Sequence, residues 1–244
     1  MQALLLCAGL GTRMKDLTKD TPKAMVEVNG KPLIAHNLEK LKAAGFTTVV
    51  VNVHHFAAQI LDYLKAQDNF GLDIRISDES KQLLDTGGAI KKAWALVDDA
   101  LPLLVHNVDI ISDLDLAGFM AAHTAENRLA TLAVRTRKTT RYLMVEEETL
   151  HLAGWTNITT GEVKLSRITT LMVANYGFSG IHIVSRAMVD LFPEEDAFSI
   201  IDVYLDAAKT KDVIVHPHED DVWVDVGKPE NIEVAEKVLR KLHS

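Results

Sequence analysis

LLLCAGLGTRMKDLTKDTPKAMVEVNGKPL, residues 4 to 33, starts as an aliphatic run and then loses its pattern. Leu4, Leu5 and Leu6 belong to a first strand read over residues 2 to 7. The stretch from Ala8 to Thr21 holds two glycines, few apolar residues and no helical period, so it reads as a long loop. Long loops inside compact domains tend to be functional. Gly9 and Gly11 let the backbone turn tightly and approach a ligand, so that successive N–H groups can point at phosphate oxygens. Arg13 adds a planar, permanently charged fork and Lys23 a mobile point charge. Together they describe an anion cradle at the end of a strand.

Outward from this stretch, short aliphatic runs alternate with helical patterns, the signature of repeated βαβ units around a mostly parallel sheet. Ile34, Leu38 and Leu41 share a helix face, and Gly45 stands where a C-terminal cap belongs. VVVNV (49 to 53) reads as a second strand, followed by a helix marked by Phe56, Ile60 and Leu64, a strand from Leu72 to Ser77, and a helix marked by Ile90, Ala93, Trp94 and Val97. PLLVHNVD (102 to 109) is a buried strand ending in a carboxylate. From about residue 129 the text becomes strand-rich, with a hairpin signal in GWTNITTGE (154 to 162) and a central strand at 177 to 184. A helix at 199 to 208, short strands at 213 to 216 and 222 to 224, and a final helix carrying Ile232, Ala235, Leu239 and Leu242 complete the chain. The expected fold is α/β: a doubly wound, mixed but mostly parallel sheet flanked by helices, Rossmann-like in its layering.

With 244 residues and 48% hydrophobic content, the chain can bury a large core, and it reads as a single domain over 1–244. No basic-plus-apolar leader precedes the first strand, and no apolar run approaches the ~18 residues of a membrane span. The expectation is therefore a cytoplasmic protein with no membrane partner. A formal charge of −8 opposes broad attraction to nucleic acid. Arg135, Arg137, Lys138 and Arg141 form a local basic cluster that suits a solvated strand end as well as a ligand site. The single cysteine, Cys7, lies in the apolar run and reads as a buried, inert thiol. His54 and His55 would face opposite sides of a strand, and His216 and His218 flank a proline without a third ligand, so zinc is disfavoured.

Rival readings of the glycine loop fail on single residues. A dinucleotide fingerprint needs a third glycine where Met14 stands, and the second strand ends in Val53, His54, His55 rather than an acidic ribose ligand. A nucleotide-hydrolase P-loop needs Gly-Lys-Ser/Thr, which is absent. A purely structural turn leaves Arg13 and Lys23 without a purpose.

The segment resembles the signature of sugar-1-phosphate nucleotidyltransferases, L-x-x-G-x-G-T-R followed by P-K. LLDTGGAIKKA (83 to 93) resembles that family's base-contacting segment, VHNVD (105 to 109) its first metal aspartate, and WVDVGKPENI (223 to 232) its second. The resemblance implies the nucleotide-diphospho-sugar transferase fold, with residues 1–128 mainly the nucleotide half and 129–244 mainly the sugar-phosphate half. It implies transfer of a nucleoside monophosphate from a nucleoside triphosphate to a sugar 1-phosphate, with release of pyrophosphate and use of Mg²⁺. Asp109 and Asp225 are the implied metal ligands, and Arg13, Lys23 and Asp109 the catalytic residues. Each aspartate follows a short apolar strand, where such sheets present ligand-binding edges, and Mg²⁺ commonly takes one or two carboxylates plus substrate phosphates.

The nucleotide is expected against Ala8, Gly9, Leu10, Gly11, Thr12, Arg13, Lys23 and Asn107, with Gln82, Thr86 and Gly87 at the base. Asp85 or Thr86 also reads as a cap for the helix that carries Ile90. For the sugar phosphate, the Glu-Lys-Pro segment common in the family is missing; Asn157, Ser179 and Lys164 are the expected contacts, with Arg167 as an alternative cation and Trp155 as a packing residue. Asp113, Asp115, Asp220 and Asp221 read as caps or turn residues. The compact length and GWTNITTGE look most like N-acetylmuramate 1-phosphate uridylyltransferases, with mannose 1-phosphate guanylyltransferases as the alternative; a non-catalytic sugar-nucleotide sensor is a reading from another class. The partners expected are the triphosphate and the sugar phosphate, on a monomer or homodimer.

Overall fold

A computed structural model describes residues 1–9 and 11–242. Strand β1 (Gln2–Leu6) runs through 3-10 helices at Thr12–Thr18 and Lys23–Met25 to a small hairpin, β2 (Glu27–Val28) and β3 (Lys31–Pro32), and then to α1 (Leu33–Ala43). Alternation continues with β4 (Thr48–Val53), α2 (Ala57–Ala66), β5 (Asp73–Asp78), α3 (Asp85–Trp94) and β6 (Leu103–Asn107). Next come β7 (Ile110–Ser112), α4 (Leu116–Ala125), β8 (Ala130–Arg135), β9 (Arg141–Glu146), β10 (Leu152–Asn157), β11 (Glu162–Leu165) and β12 (Val173–Val184). The last part holds α5 (Arg186–Val189), α6 (Ile200–Ala207), β13 (Val213–Pro217), β14 (Trp223–Asp225) and α7 (Glu230–Leu242).

The main sheet follows the order β11-β10-β9-β12-β6-β1-β4-β5, with β8 on β12 and β13 on β8. The β6-β1-β4-β5 run is parallel, as the βαβ rhythm predicts, while β12 pairs antiparallel with β6, β8 and β9 and joins the two halves. Period-two alternation decides which layer each strand residue enters. Ala3, Leu5, Val49 and Val51 face a layer that includes Ile34 and Leu38 of α1 and Ile60 of α2; Leu4 and Val50 face Ile90 of α3 and Tyr204 of α6.

Three local features depart from the sequence expectations. The 8–21 loop contains a seven-residue 3-10 helix, because Met14 is fully buried and pulls the segment onto the core, while the Thr18 hydroxyl donates to Gly11 O at 2.9 Å. Helix α4 has no sequence counterpart above, since LAGFMAAHTA is apolar around much of its circumference and shows no amphipathic period. Its start is set by Asp115, whose Oδ1 accepts from Ala117 N at 3.1 Å and Gly118 N at 3.0 Å, the cap role expected of that residue. Finally, Leu84 is the N-cap residue of α3 and makes no side-chain cap bond, while Asp85, at φ 58°, accepts from Thr86 N at 2.6 Å through Oδ1. The Thr86 hydroxyl instead accepts from Ile200 N at 3.1 Å, capping α6.

Four histidines are buried neutral. His182 bonds to the Tyr204 hydroxyl and His123 lies between Thr131 Oγ1 and Ser185 Oγ, each at 2.9 Å. Burial pushes His106 and His182 down to about 3 and His123 and His218 down to about 4. Unfolding restores the ordinary value of 6.5, so below that pH the unfolded chain binds protons that the folded chain refuses. The expected outcome is a urea midpoint that is steady above pH 7 and falls as the pH drops from about 6.5 toward 4. A midpoint rising over that window would contradict these environments.

Candidate active site

The glycine loop is held from beneath by a polar pair that the apolar strand pattern hides. Asn52 in β4 accepts from Cys7 N at 2.6 Å and Ala8 N at 3.3 Å through Oδ1, and its Nδ2 donates to Glu79 Oε1 at 2.7 Å. Glu79 is 1% exposed and accepts from Leu84 N at 3.2 Å through its other oxygen. One buried amide thus ties the end of β1 to the segment entering α3. Gly11 has φ 63°, and a methyl there would lie 2.9 Å from Thr18 Cγ2, so the turn requires glycine on both counts.

Lys23 begins a short 3-10 helix after Pro22, which fixes its approach, and is 8% exposed; its ammonium forms an ion pair with the Asp109 carboxylate. Asp109 follows β6 by two residues. Its carbonyl accepts from Val226 N at 2.8 Å, and β7 pairs antiparallel with β14 so that Asp225 stands opposite Ile110. This ladder brings the two aspartates, from distant parts of the chain, to one edge of the sheet. Asn231 Nδ2 holds the Asp225 carbonyl at 2.6 Å, and Asp225 Oδ1 is buried without a hydrogen-bond partner among the described residues. A methyl at Gly227 would lie 2.5 Å from that oxygen and 2.8 Å from Arg13 Nη2, which shows how closely the arginine approaches this turn.

Two clefts share this edge. The first, about 460 Å³, is lined by Ala8, Gly9, Gly11, Thr12, Lys23 and Thr86 among others. The second, about 280 Å³, is lined by residues that include Arg137, Tyr142, Trp155, Ser179, Trp223 and Asp225. Arg13, Asn107 and Asp109 line both. Leu10 falls outside the described residues.

Other expected site residues stand elsewhere. Gln82 lines a neighbouring depression with Asp78, Ser80 and Lys92 rather than the first cleft. The Gly87 N–H is spent on Phe198 O at 2.9 Å, and a methyl on Gly87 would lie 2.3 Å from the Phe198 ring, so its glycine serves packing of α3 on the 196–198 segment. Asn157 Oδ1 accepts from Thr159 N at 3.0 Å and shapes the β10–β11 turn, outside both clefts. Lys164 is exposed on β11, paired with Asp202 at 2.8 Å; Arg167 is paired with Asp212 at 2.6 Å and bonded to two carbonyls. Ser179 is fully buried and bonded through Oγ to His218 Nε2 at 2.6 Å, although it borders the second cleft.

Residues not singled out above for the site line it too: Asn52, Glu79, Leu83 and Asp85 in the first cleft, Tyr142 and Trp223 in the second. Asn52 had a signal, being the one polar residue in VVVNV; Glu79 had none, because its burial depends on a partner from another strand. Burial, reinforced by the Asp109 charge, drives the Cys7 thiol far up, so it is no nucleophile. Burial lowers the Arg137 guanidinium, against the opposing pull of Asp225.

A divalent metal fits this edge. Among the described residues no set of three or more His, Cys, Asp or Glu side chains is arranged to hold one, so a closed protein cage is absent. Two carboxylates, one of them with an unpartnered buried oxygen, instead suit a hard cation that draws its remaining ligands from phosphates and water.

The fold is α/β with two aspartates brought to one sheet edge, and comparison with known proteins supplies the family. The chain belongs to the nucleotidyl transferase family, whose profile matches residues 2–241. It is 53% identical over 111 residues to the N-acetylmuramate alpha-1-phosphate uridylyltransferase of Caulobacter vibrioides, covering 45% of this chain and 46% of that protein. It is 29% identical over 235 residues to the mannose-1-phosphate guanyltransferase of Gibberella zeae, covering 95% of this chain and 62% of that one. These alignments therefore span less than two thirds of either relative. Among solved structures, a UDP-glucose pyrophosphorylase complexed with UDP-glucose superimposes with a TM-score of 0.79 at 19% identity, covering 98% of both chains. HddC from Yersinia pseudotuberculosis, complexed with GMP-PN, gives 0.74 at 22% identity, covering 98% and 99%. At those identities the likeness is one of fold, the nucleotide-diphospho-sugar transferase fold.

Replacing Asn52 by Ala would leave the Cys7 and Ala8 amides and Glu79 Oε1 unmet in the interior. The expected cost is about 2–3 kcal/mol in urea unfolding. Unchanged stability would mean the amide pair holds nothing.

Proposed function

We propose that this protein transfers a nucleoside monophosphate from a nucleoside triphosphate to a sugar 1-phosphate and releases pyrophosphate. The observation that carries this reading is the approach of the Asp225 strand to Asp109 where two clefts adjoin, one glycine-lined and one carrying tryptophans and arginines, with Asp109 lining both. The triphosphate takes the first cleft, with loop N–H groups, Arg13 and Lys23 around its phosphates. The sugar phosphate takes the second, where its phosphate oxygen can reach the α-phosphorus in line. Asp109 and Asp225 would hold Mg²⁺, which when bound supplies neutralisation of phosphate charge.

Arg13 stabilises the charge that accumulates on the departing pyrophosphate, and Lys23 neutralises charge around the α-phosphate. Lys23 in its ion pair with Asp109 keeps the cation at the reaction edge before substrates arrive. No protein nucleophile or strong base is required, because the acceptor phosphate is already largely anionic at neutral pH; positioning and charge compensation supply the rate. The sensor alternative, which binds but does not turn over, leaves the clustering of Arg13, Lys23, Asp109 and Asp225 without a purpose.

For the substrates, we propose UTP with N-acetylmuramate 1-phosphate, on the strength of the 53% identity to the Caulobacter relative. GTP with mannose 1-phosphate is the second reading, favoured by alignment over 95% of the chain at lower identity.

The test is a pyrophosphate-release screen of the four common nucleoside triphosphates against a panel of sugar 1-phosphates with Mg²⁺. One preferred pair is expected. Asp109→Ala and Asp225→Ala are expected to abolish release while melting as cooperatively as wild type, and Arg13→Ala to lower kcat by about 100- to 1,000-fold. Full activity in either aspartate variant would refute the metal assignment.

A further inference from the structure

The second cleft contains a cation, Arg137, that forms no ion pair among the described residues. Arg137 follows β8 by two residues, and its stem crosses β12 at Gly177, where a methyl would lie 2.7 Å from both its Cγ and its Nε. A glycine inside a strand costs stability, and here the missing side chain is the channel through which the arginine passes. Arg137 Nη2 donates to Phe178 O at 3.0 Å, and the guanidinium lies 4.9 Å from the Trp223 ring centroid. One end of the fork is therefore fixed and one face is stacked, so little side-chain freedom remains to be lost when a ligand binds.

The charge is not balanced in the same way. Arg137 has no ion-pair partner among the described residues, and its Nε–H is buried with no acceptor. The guanidinium of Arg135 stands 5.8 Å from the same indole and adds like charge, with its own donors directed at Asp221 O and Glu219 O. The carboxylate facing Arg137 is Asp225, whose Oδ1 is also unpartnered. An unpaired, half-buried guanidinium with an unmet donor is costly unless a ligand completes it.

Resting on the function proposed above, we propose that Arg137 grips the phosphate of the sugar 1-phosphate and sets it beside Asp225 for attack. Arg137 lines the second cleft and not the first, whereas Arg13, Asn107 and Asp109 line both; its contact is with the acceptor and not with the triphosphate. The other cations of this half are less suited. Arg141 borders the cleft but is exposed, Lys164 is turned to Asp202, and Arg167 is engaged by Asp212. A guanidinium presents parallel N–H donors that match two phosphate oxygens, which a lysine at the same place does not.

The test compares wild type with Arg137→Gln, Arg137→Lys and Gly177→Ala. The last keeps the charge but closes the channel under it. In steady-state assays the KM for the sugar 1-phosphate should rise about 10- to 100-fold in Arg137→Gln, with the triphosphate KM within about threefold of wild type. Arg137→Lys should recover part of the loss, and Gly177→Ala should move the acceptor KM in the same direction; thermal melts establish that each variant is folded. N-acetylmuramate 1-phosphate, N-acetylglucosamine 1-phosphate and mannose 1-phosphate are compared, since only the first carries a ring-borne carboxylate. A similar rise for all three supports a phosphate contact. A loss confined to the first moves the contact to that carboxylate and overturns the assignment, as would equal rises in both KM values or no rise at all. Independently of turnover, titrating wild type with each sugar 1-phosphate while observing the arginine Nε nuclei by NMR should shift a resonance that Arg137→Gln removes. If no pair of substrates releases pyrophosphate, the reaction reading fails, and this titration still decides the anion contact: a shift sustains it and silence removes it.

Discussion

The site depends on one backbone interaction, the short ladder between β7 and β14 closed by Val226 N on Asp109 O. Neither aspartate is positioned by its own strand alone. Asp109 lies beyond the end of β6, in a turn free to point several ways, and Asp225 ends a three-residue strand that has no other partner. Pairing each with the other's neighbours removes that freedom, and it does so at the carboxyl edge of the parallel run, where the β1 loop also emerges. Asn231 of α7 holds the far side of the Asp225 turn, so the last helix acts as a brace for the cleft as well as a cover for the sheet.

Around this edge the polar groups divide into those the fold satisfies and those it leaves open. Asn52 and Glu79 satisfy each other and the loop amides above them, which makes the floor of the first cleft rigid. Among the buried side-chain atoms without partners in the described residues, the two that belong to Asp and Arg side chains are Asp225 Oδ1 and Arg137 Nε, and both residues line the second cleft. Unmet charge in an interior is expensive, so its concentration there, rather than its scatter through the core, marks where ligand groups complete the structure.

The segment from Gln82 to Gly88 shows how packing reassigns residues that look like ligand contacts. Gly87 and Gly88 allow α3 to press onto the 196–198 segment: a methyl on Gly88 would lie 2.0 Å from Asp196 O. Thr86 spends its hydroxyl on the first amide of α6. From this segment the first cleft is lined by Leu83, Asp85 and Thr86, while Gln82 faces a neighbouring depression. The contact between α3 and α6 thus joins an element of the first half to one of the second.

Much of this was legible in the residues themselves. Two periodicities in the first half, two in strands and 3.6 in helices, specify βαβ units because each buried face must repeat with its own element, and Gly9, Gly11, Arg13 and Lys23, from a single stretch of chain, line one cleft. What a sequence encodes locally, it reveals locally: the hairpin at 154 to 162 and the Asp115 cap are of this kind. The amphipathic signal fails for α4, which is apolar nearly all round, and the turn polarity of 8–21 conceals a 3-10 helix anchored by Met14. The partnerships that decide chemistry were invisible for a different reason, since they join residues whose spacing in the chain carries no information about their distance in space. Only the folded sheet sends Lys164 to Asp202 and Arg167 to Asp212, lays Arg137 across Gly177 toward Trp223, and sets Asp109 beside Asp225, because strand order and register, not neighbouring letters, determine which side chains share an edge.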